Sequence, residues 1–405
     1  MKRARIAELS SQYRHALLDD IIPFWLQHGL DPEHGGFMHW LDRDGSVYNT
    51  DKNIWVQCRS GVWILARLHN TVARGAIPGV ALRREWLDAA ASTMNFVMEH
   101  AFDWDGRMYF LVTRDGRPLR KRRYLFAESF GVIACTEYFK ATGDERYLRR
   151  ADEIYKLMVS YHRTPGALPP KVVPQTRQAK SHAMPMVLVA TTQEIRQVRS
   201  DPLYQEVVDD SLDQILHQFW QPEDRVLLEN IGPHGERVDS PEGRVINPGH
   251  AIESSWFILR EAEQRGDKAL LKAALEILDA NLERGWDPQY GGILYFLDVA
   301  GRPPDQLEWD QKLWWPHAEA LYATLYAHYL TGEARYLDWF EKIHAWTFAH
   351  FPDPAYGEWF GYLHRDGSML LPLKGNNWKG FFHVPRALML ALELLAKMPA
   401  EDEPN

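Results

Sequence analysis

The stretch DPEHGGFMHWLDRDG, residues Asp31 to Gly45, decides the fold because the chain writes it again. It returns as DPQYGGILYFLDVAG from Asp287 and as DPAYGEWFGYLHRDG from Asp353. Asp287 and Asp353 are 66 residues apart, and Asp31 lies 256 before Asp287, close to four times that period. Weaker copies are therefore expected between them. FDWDGRMYFLVTRDGRP from Phe102 and QPEDRVLLENIGPHGER from Gln221 supply two. At the third position RTPGALPPKVVP, near Pro165, keeps the loop character without the pattern. Each clear copy sets a Gly or Asp turn before alternating apolar and polar residues and ends in a second turn, which predicts a small β-hairpin.

A second kind of break separates the hairpins. ATGDERYLRRADEIYKLM from Ala141 resembles LTGEARYLDWFEKIHAW from Leu330, with looser versions from Gln264 and Arg199. These read as short turns between helices. HAIESSWFILREAEQ and HAEALYATLYAHYL place apolar residues at three- and four-residue intervals, the helical period. One unit is hairpin, helix, short turn, helix, and about six such units fill 405 residues. A solenoid can use that repeat, but neither end carries a polar capping unit. The expected fold is all-α: an (α/α)6 barrel of about twelve helices, with short β-hairpins in the long loops on one face. Residues 1–405 are expected to form a single catalytic domain, with chemistry on the long-loop face.

Composition excludes several functions. Hydrophobic residues make up 45% of the chain and charged residues 25%, as in a globular protein with a large core. A net charge of -9 argues against a nucleic-acid partner, which needs many Lys and Arg on phosphates. RKRR at Arg120 to Arg123 is the one basic cluster and reads as a solvated loop. The two cysteines, Cys58 and Cys135, suit neither a disulfide framework nor a thiolate metal site, and they favour a reducing compartment. MKRARIAELSSQYRHALLDD has no apolar run of signal-peptide length, and no later segment approaches a membrane span. The expectation is a cytoplasmic protein without a membrane partner.

The same period organises the histidines. His182, His250, His317 and His383 are separated by 68, 67 and 66 residues, so each is expected at the start of an inner helix. NPGHAIE offers Asn247 as N-cap and Pro248 in the first turn; WWPHAEA and FHVPRA also set Pro beside the His. Arg59 in WVQCRSG and Glu128 in FAESF occupy the corresponding places in earlier units. All six are expected to face one central cavity. A metal needs three or four ligands within about 2 Å of one ion, which groups on opposite walls of a wide ring do not provide, so none is expected.

Imidazoles facing each other across a pocket suit proton transfer at carbon, one ring as base and the other as acid. The positive end of the helix dipole should disfavour the imidazolium in a first turn. Glu253 shares a helix face with His250, and Glu319 follows His317 by two residues. Arg59 and Arg386 are placed to hold hydroxyl oxygens or a developing oxyanion, with an ion-pair role for Arg386 as the alternative. Trp55, Trp314, Trp315 and Trp378 lie close to these motifs, and flat aromatic faces beside polar groups suit a sugar. A reducing sugar carries an acidic proton beside its carbonyl. Returning that proton to the other face inverts the centre, and returning it to the neighbouring carbon makes a ketose.

INPGHAIE, QLEWDQKLWWPHAEA, DPAYGEWFGYL and KGFFHVPRA together resemble the N-acylglucosamine 2-epimerase family, over nearly the whole chain. The family also includes cellobiose and mannose 2-epimerases and mannose isomerases. The resemblance implies the (α/α)6 barrel and metal-independent proton exchange on a ring-opened sugar, with no cofactor. It implies that His250 and His383 are the acid/base pair, that Arg59, Glu253 and Glu319 form an essential polar shell, and that Trp55 and Trp315 contact sugar. His182, His317 and Arg386 join them as substrate-binding candidates. A homodimer is implied by the resemblance alone.

The chain departs from the N-acylglucosamine branch at three places. WVQCRSGVW gains a residue just after Arg59, and a shift of the helix presenting it is the expectation. His182 stands where that branch tends to be apolar, so a free hydroxyl is its expected neighbour. KVVPQTR lacks the glycine of the loop found in nucleotide-responsive members, so nucleotide activation is not expected. The resulting expectation is a sugar 2-epimerase acting on N-acetylglucosamine/N-acetylmannosamine or glucose/mannose. A mannose/fructose isomerase, an (α/α)6 glycosidase and a non-enzymatic sugar-binding protein are the alternatives.

Overall fold

The computed structural model describes residues 1–399 apart from 123, 171, 172, 174, 177 and 178. Six inner helical segments surround a central lumen: residues 54–73, Phe126–Thr142, Ala183–Ile195, Pro248–Arg265, Trp314–Thr331 and His383–Leu395. Six outer segments pack behind them: residues 3–28, Arg84–His100, Glu145–Arg163, residues 202–219, Lys268–Gly285 and Ala334–His350. The inner helices are apolar almost all round, as helices covered on every side must be. The first outer segment comes from the amino terminus and packs on the last inner helix, so the chain closes a ring. Solvated Gly143, Gly266 and Gly332 end inner helices in the left-handed conformation, and Asp144 and Asp267 cap the outer helices that follow.

The recurring motif is what closes the ring. Asp31 receives a fork from Arg114 of the next hairpin, with bonds of 2.9 and 2.8 Å. Arg365 grips Asp287 in the same way at 2.8 and 3.3 Å. Arg43 of the first hairpin grips Asp353 of the last, at 2.8 and 3.0 Å, across the point where the two ends of the chain meet. A fully buried lysine completes each pair: Lys52, Lys312 and Lys374 lie 2.9, 3.0 and 2.9 Å from their aspartates. Burial alone would raise the three carboxyl pKa values, but the arginine and lysine outweigh it and hold them well below the usual range.

Backbone pairing repeats the scheme. The strand entering an inner helix pairs antiparallel with the next hairpin: Lys52–Asn53 with Leu111–Val112, Val245–Ile246 with Leu297–Asp298, and Lys312–Leu313 with Tyr362–Leu363. At the closure Lys374 and Gly375 donate to the carbonyl of Leu41. The second motif glycine is required by geometry: Gly36 has φ 73°, and a Cβ there would sit 2.6 Å from Gln57 Oε1. In the last copy Glu358 takes that place at φ 58°, its carboxylate paired with Lys379.

Several expectations meet the structure here. Cys58 and Cys135 are buried and unpaired. In the basic cluster Lys121 pairs with Asp103 and Asp105, and Arg122 lies over the Phe110 ring; Arg123 lies outside the described residues. KVVPQTR, the segment bearing on nucleotide activation, lies largely outside them as well. Among the described residues no helix is long and apolar enough to cross a membrane.

Candidate active site

The lumen opens on the hairpin face as a cavity of about 820 Å³. Its polar wall is built by Arg59, His250, Glu253, His383 and Arg386. Trp55, Trp314, Trp315 and Trp378 stand around them, and Trp378 is 46% exposed. Two turns further along the inner helices, Arg67, Glu194 and Arg260 close the far end as an ion-paired group.

His250 and His383 pack against one tryptophan. The ring centroid of Trp315 lies 5.1 Å from that of His250 and 5.6 Å from that of His383. Asn247 caps the helix of His250 by accepting from its backbone N–H at 3.1 Å. His383 is the first residue of its helix, and Glu319 Oε1 lies 2.7 Å from its Nδ1. A carboxylate only accepts, so Nδ1 carries the proton and Nε2 keeps the lone pair. Burial pushes the His383 pKa well below its usual value; Glu253 opposes this, while Arg386, Arg59 and His250 reinforce it.

Arg386 neutralises the carboxylates beside His383. Its Nη2 donates to Glu253 Oε1 and, at 2.7 Å, to Glu319 Oε1. Trp256 Nε1–H donates to the other Glu319 oxygen at 2.8 Å. Ligand-type atoms of Glu253, Glu319 and His383 lie within 4.8 Å of one another, but Arg386 already supplies the positive charge between the two carboxylates. Arg59 differs. It donates to the carbonyl of Trp378 at 2.6 Å and lies over the rings of Trp55, Phe382 and Phe130. Among the described residues no carboxylate is ion-paired with it, and its buried Nε has no partner. Burial and Arg386 lower its pKa to about 9, which leaves it cationic at neutral pH.

A π-helical turn, Gln57–Ile64, carries Arg59.

Glu229, which the sequence reading passed over, holds His250. Its Oε2 lies 3.0 Å from His250 Nδ1. It sits between the short strands Val226–Leu227 and Asn230–Ile231 of the fourth hairpin. Burial would lower the pKa of His250, but the charge and hydrogen bond of Glu229, with the charge of Glu253, raise it overall. The helix-dipole expectation fails for His250, where carboxylate charge raises the pKa, and at His383 the lowering comes first from burial.

Three residues of the expected ring of six do not face the cavity. His317 is fully buried: Nδ1–H donates to the Leu313 carbonyl at 2.7 Å, and Nε2 accepts the Ile293 N–H at 2.9 Å. Burial drives its pKa to about 3, consistent with that neutral tautomer. Gln57 on Phe37 and Glu128 on Met108 do the same for their hairpins, accepting a backbone N–H, and Glu128 also pairs with Arg107. His182, expected beside a sugar hydroxyl, is fully buried, with Nε2 paired to Ser254 Oγ at 2.9 Å. Between His250 and His317 the difference is one of helical phase: His250 is the third residue of its helix and His317 the fourth. Each one-residue slip turns the side chain by about 100°.

Comparison with known proteins places this geometry in context. The sequence profile of the N-acylglucosamine 2-epimerase (GlcNAc 2-epimerase) family matches residues 36–387. The N-acylglucosamine 2-epimerase of Bos taurus is 40% identical over 384 residues, covering 93% of this chain and 89% of that protein. Its Homo sapiens counterpart is 36% identical over 393 residues, covering 96% and 90%. The solved cellobiose 2-epimerase of Bacillus thermoamylovorans B4167 superposes with a TM-score of 0.83 at 20% identity, covering 97% of this chain and all of that one.

Proposed function

The chain belongs to the N-acylglucosamine 2-epimerase family, a family of isomerases, and from that premise we propose that it interconverts an N-acylglucosamine with its N-acylmannosamine epimer. Residues 1–405 act as one catalytic unit in this reading. The carrying observation is that His250 and His383 both pack against Trp315, each with Nδ1 hydrogen-bonded to a carboxylate.

The chemistry follows from the acidity beside a carbonyl. In the ring-opened sugar, one imidazole removes the C2 proton and the C2–H electron pair forms the C1–C2 double bond of an enolate that keeps the acylamino group on C2. The negative charge collects on O1, where Arg59, a cation without a carboxylate of its own, is suited to hold it. The other imidazole delivers a proton to the opposite face of C2, and the carbonyl reforms. In the reverse direction the two rings exchange roles. Trp315 and Trp55 supply flat faces for the sugar, while Glu253, Glu319 and Arg386 hold His383 in its tautomer.

A glycosidase would need two carboxyl groups free to act as acid and base. Glu253 and Glu319 are instead tied to one arginine nitrogen, which disfavours that reading. The test is separate incubation with N-acetylmannosamine, N-acetylglucosamine, mannose, glucose and cellobiose. Epimer formed from an N-acetylhexosamine supports the proposal; conversion confined to mannose and fructose would replace it with an aldose-ketose isomerase.

A further inference from the structure

The two histidines are held by unlike devices. Glu319, at His383, shares its carboxylate with Arg386, and Arg59 lies near enough to act on the same ring. Glu229, at His250, carries no such partner: among the described residues no lysine or arginine is ion-paired with it. Its second oxygen lies 3.8 Å from Nδ1 of His182, whose own Nε2 is tied to Ser254. His250 is 30% exposed toward the lumen, so its free nitrogen is reachable. The other titratable groups around it are Glu253 on its own helix, His383, which packs against the same Trp315, and Tyr295, whose burial keeps its hydroxyl protonated.

We propose that Glu229 is the positioning residue for His250, and that its uncompensated carboxylate makes His250 the resident acid and His383 the resident base of the free enzyme. This rests on the epimerase reading. Glu229 touches no substrate; it acts through the imidazole, fixing the tautomer and stabilising the imidazolium. His182, tied at Nε2 to Ser254, stands behind it at 3.8 Å, a buried neighbour without contact with sugar. The enzyme therefore waits in one of its two singly protonated forms. After each turnover in the direction that uses this form, a proton must return from His383 to His250 before the next.

The test compares the wild type with Glu229→Gln and Glu229→Asp. The measurement is kcat/KM for N-acetylmannosamine across pH, with solvent deuterium at C2 read by NMR and folding checked by thermal unfolding. Glu229→Gln should lower conversion by about ten- to a hundredfold. It should also move the alkaline limb to lower pH by about one to three units, the usual effect of one adjacent charge, and leave the acid limb in place. Glu229→Asp keeps the charge at a longer reach, so it should retain most of the alkaline limb while losing rate. A folded Glu229→Gln with both limbs unmoved would overturn the proposal, whatever its rate. If Glu229→Gln does not fold, a wild-type rate and profile in Glu229→Asp would overturn it instead. A wild type that takes up no deuterium from any sugar would be the failure of the epimerase reading, not of this one.

Discussion

Glu319 Oε1 and His383 Nδ1 are 2.7 Å apart, and the proton between them belongs to the imidazole. Glu319→Gln therefore has a specific expected consequence. The amide can present its NH2 to Nδ1, which moves the ring proton to Nε2 and removes the lone pair from the base. Turnover should fall by about 10²–10⁴-fold, comparable to loss of a general base, with the fold intact. Steady-state kinetics on the purified variant would check it, and near wild-type turnover would contradict the tautomer assignment.

Trp315 packs against both imidazoles and lines the cavity. Trp315→Ala should weaken substrate binding by roughly 1 kcal/mol, about fivefold in KM, through loss of a flat face. It should also lower kcat, because both rings lose a packing neighbour. A changed KM with kcat untouched would mean that Trp315 binds sugar without ordering the histidines.

The opposite shifts of His250 and His383 predict a broad bell for kcat/KM. The base must be neutral, and burial lowers the His383 pKa, so activity should rise through a value well below 6.5. The acid must be protonated, and Glu229 raises the His250 pKa, so activity should fall through a value above 6.5. A narrow bell centred at the ordinary imidazole value would contradict this.

Asp353 closes the ring, so its loss should be felt globally. Asp353→Ala leaves the buried Lys374 without its carboxylate and should destabilise the fold by about 3–5 kcal/mol, measurable by denaturant unfolding. The pH sign follows from the lowered pKa values of Asp31, Asp287 and Asp353. Their contribution is complete above the ordinary carboxylate value near 4 and is lost as pH falls through the lower folded values. Thermal stability should therefore be insensitive to these groups from pH 8 to 5 and decline only in stronger acid.

Much of this was legible in the sequence. The barrel follows from the 66-residue period because each motif aspartate must meet an arginine of the neighbouring hairpin, a constraint that repeats with the unit. Asn247 as N-cap and the cluster of tryptophans at the rim were also readable, being local. The facing of the histidines was not, because a spacing of 66 to 68 residues fixes height along the barrel but a slip of one residue rotates a side chain by about 100°. His317 and His250 differ by that one step, and one pins a hairpin while the other lines the lumen. Glu229 had no signal of its own: it sits in the weak fourth hairpin, and its meaning appears only when that hairpin folds over the next inner helix.

The most direct test of two-histidine proton exchange is the deuterium content at C2 after incubation in deuterated water without metal or nucleotide. The account predicts that the wild type incorporates deuterium at C2 of the product epimer of an N-acetylhexosamine. It predicts that His383→Asn and His250→Asn, both folded, lose conversion by at least a hundredfold. Product epimer that retains the original hydrogen at C2, or full turnover in both variants, would contradict it.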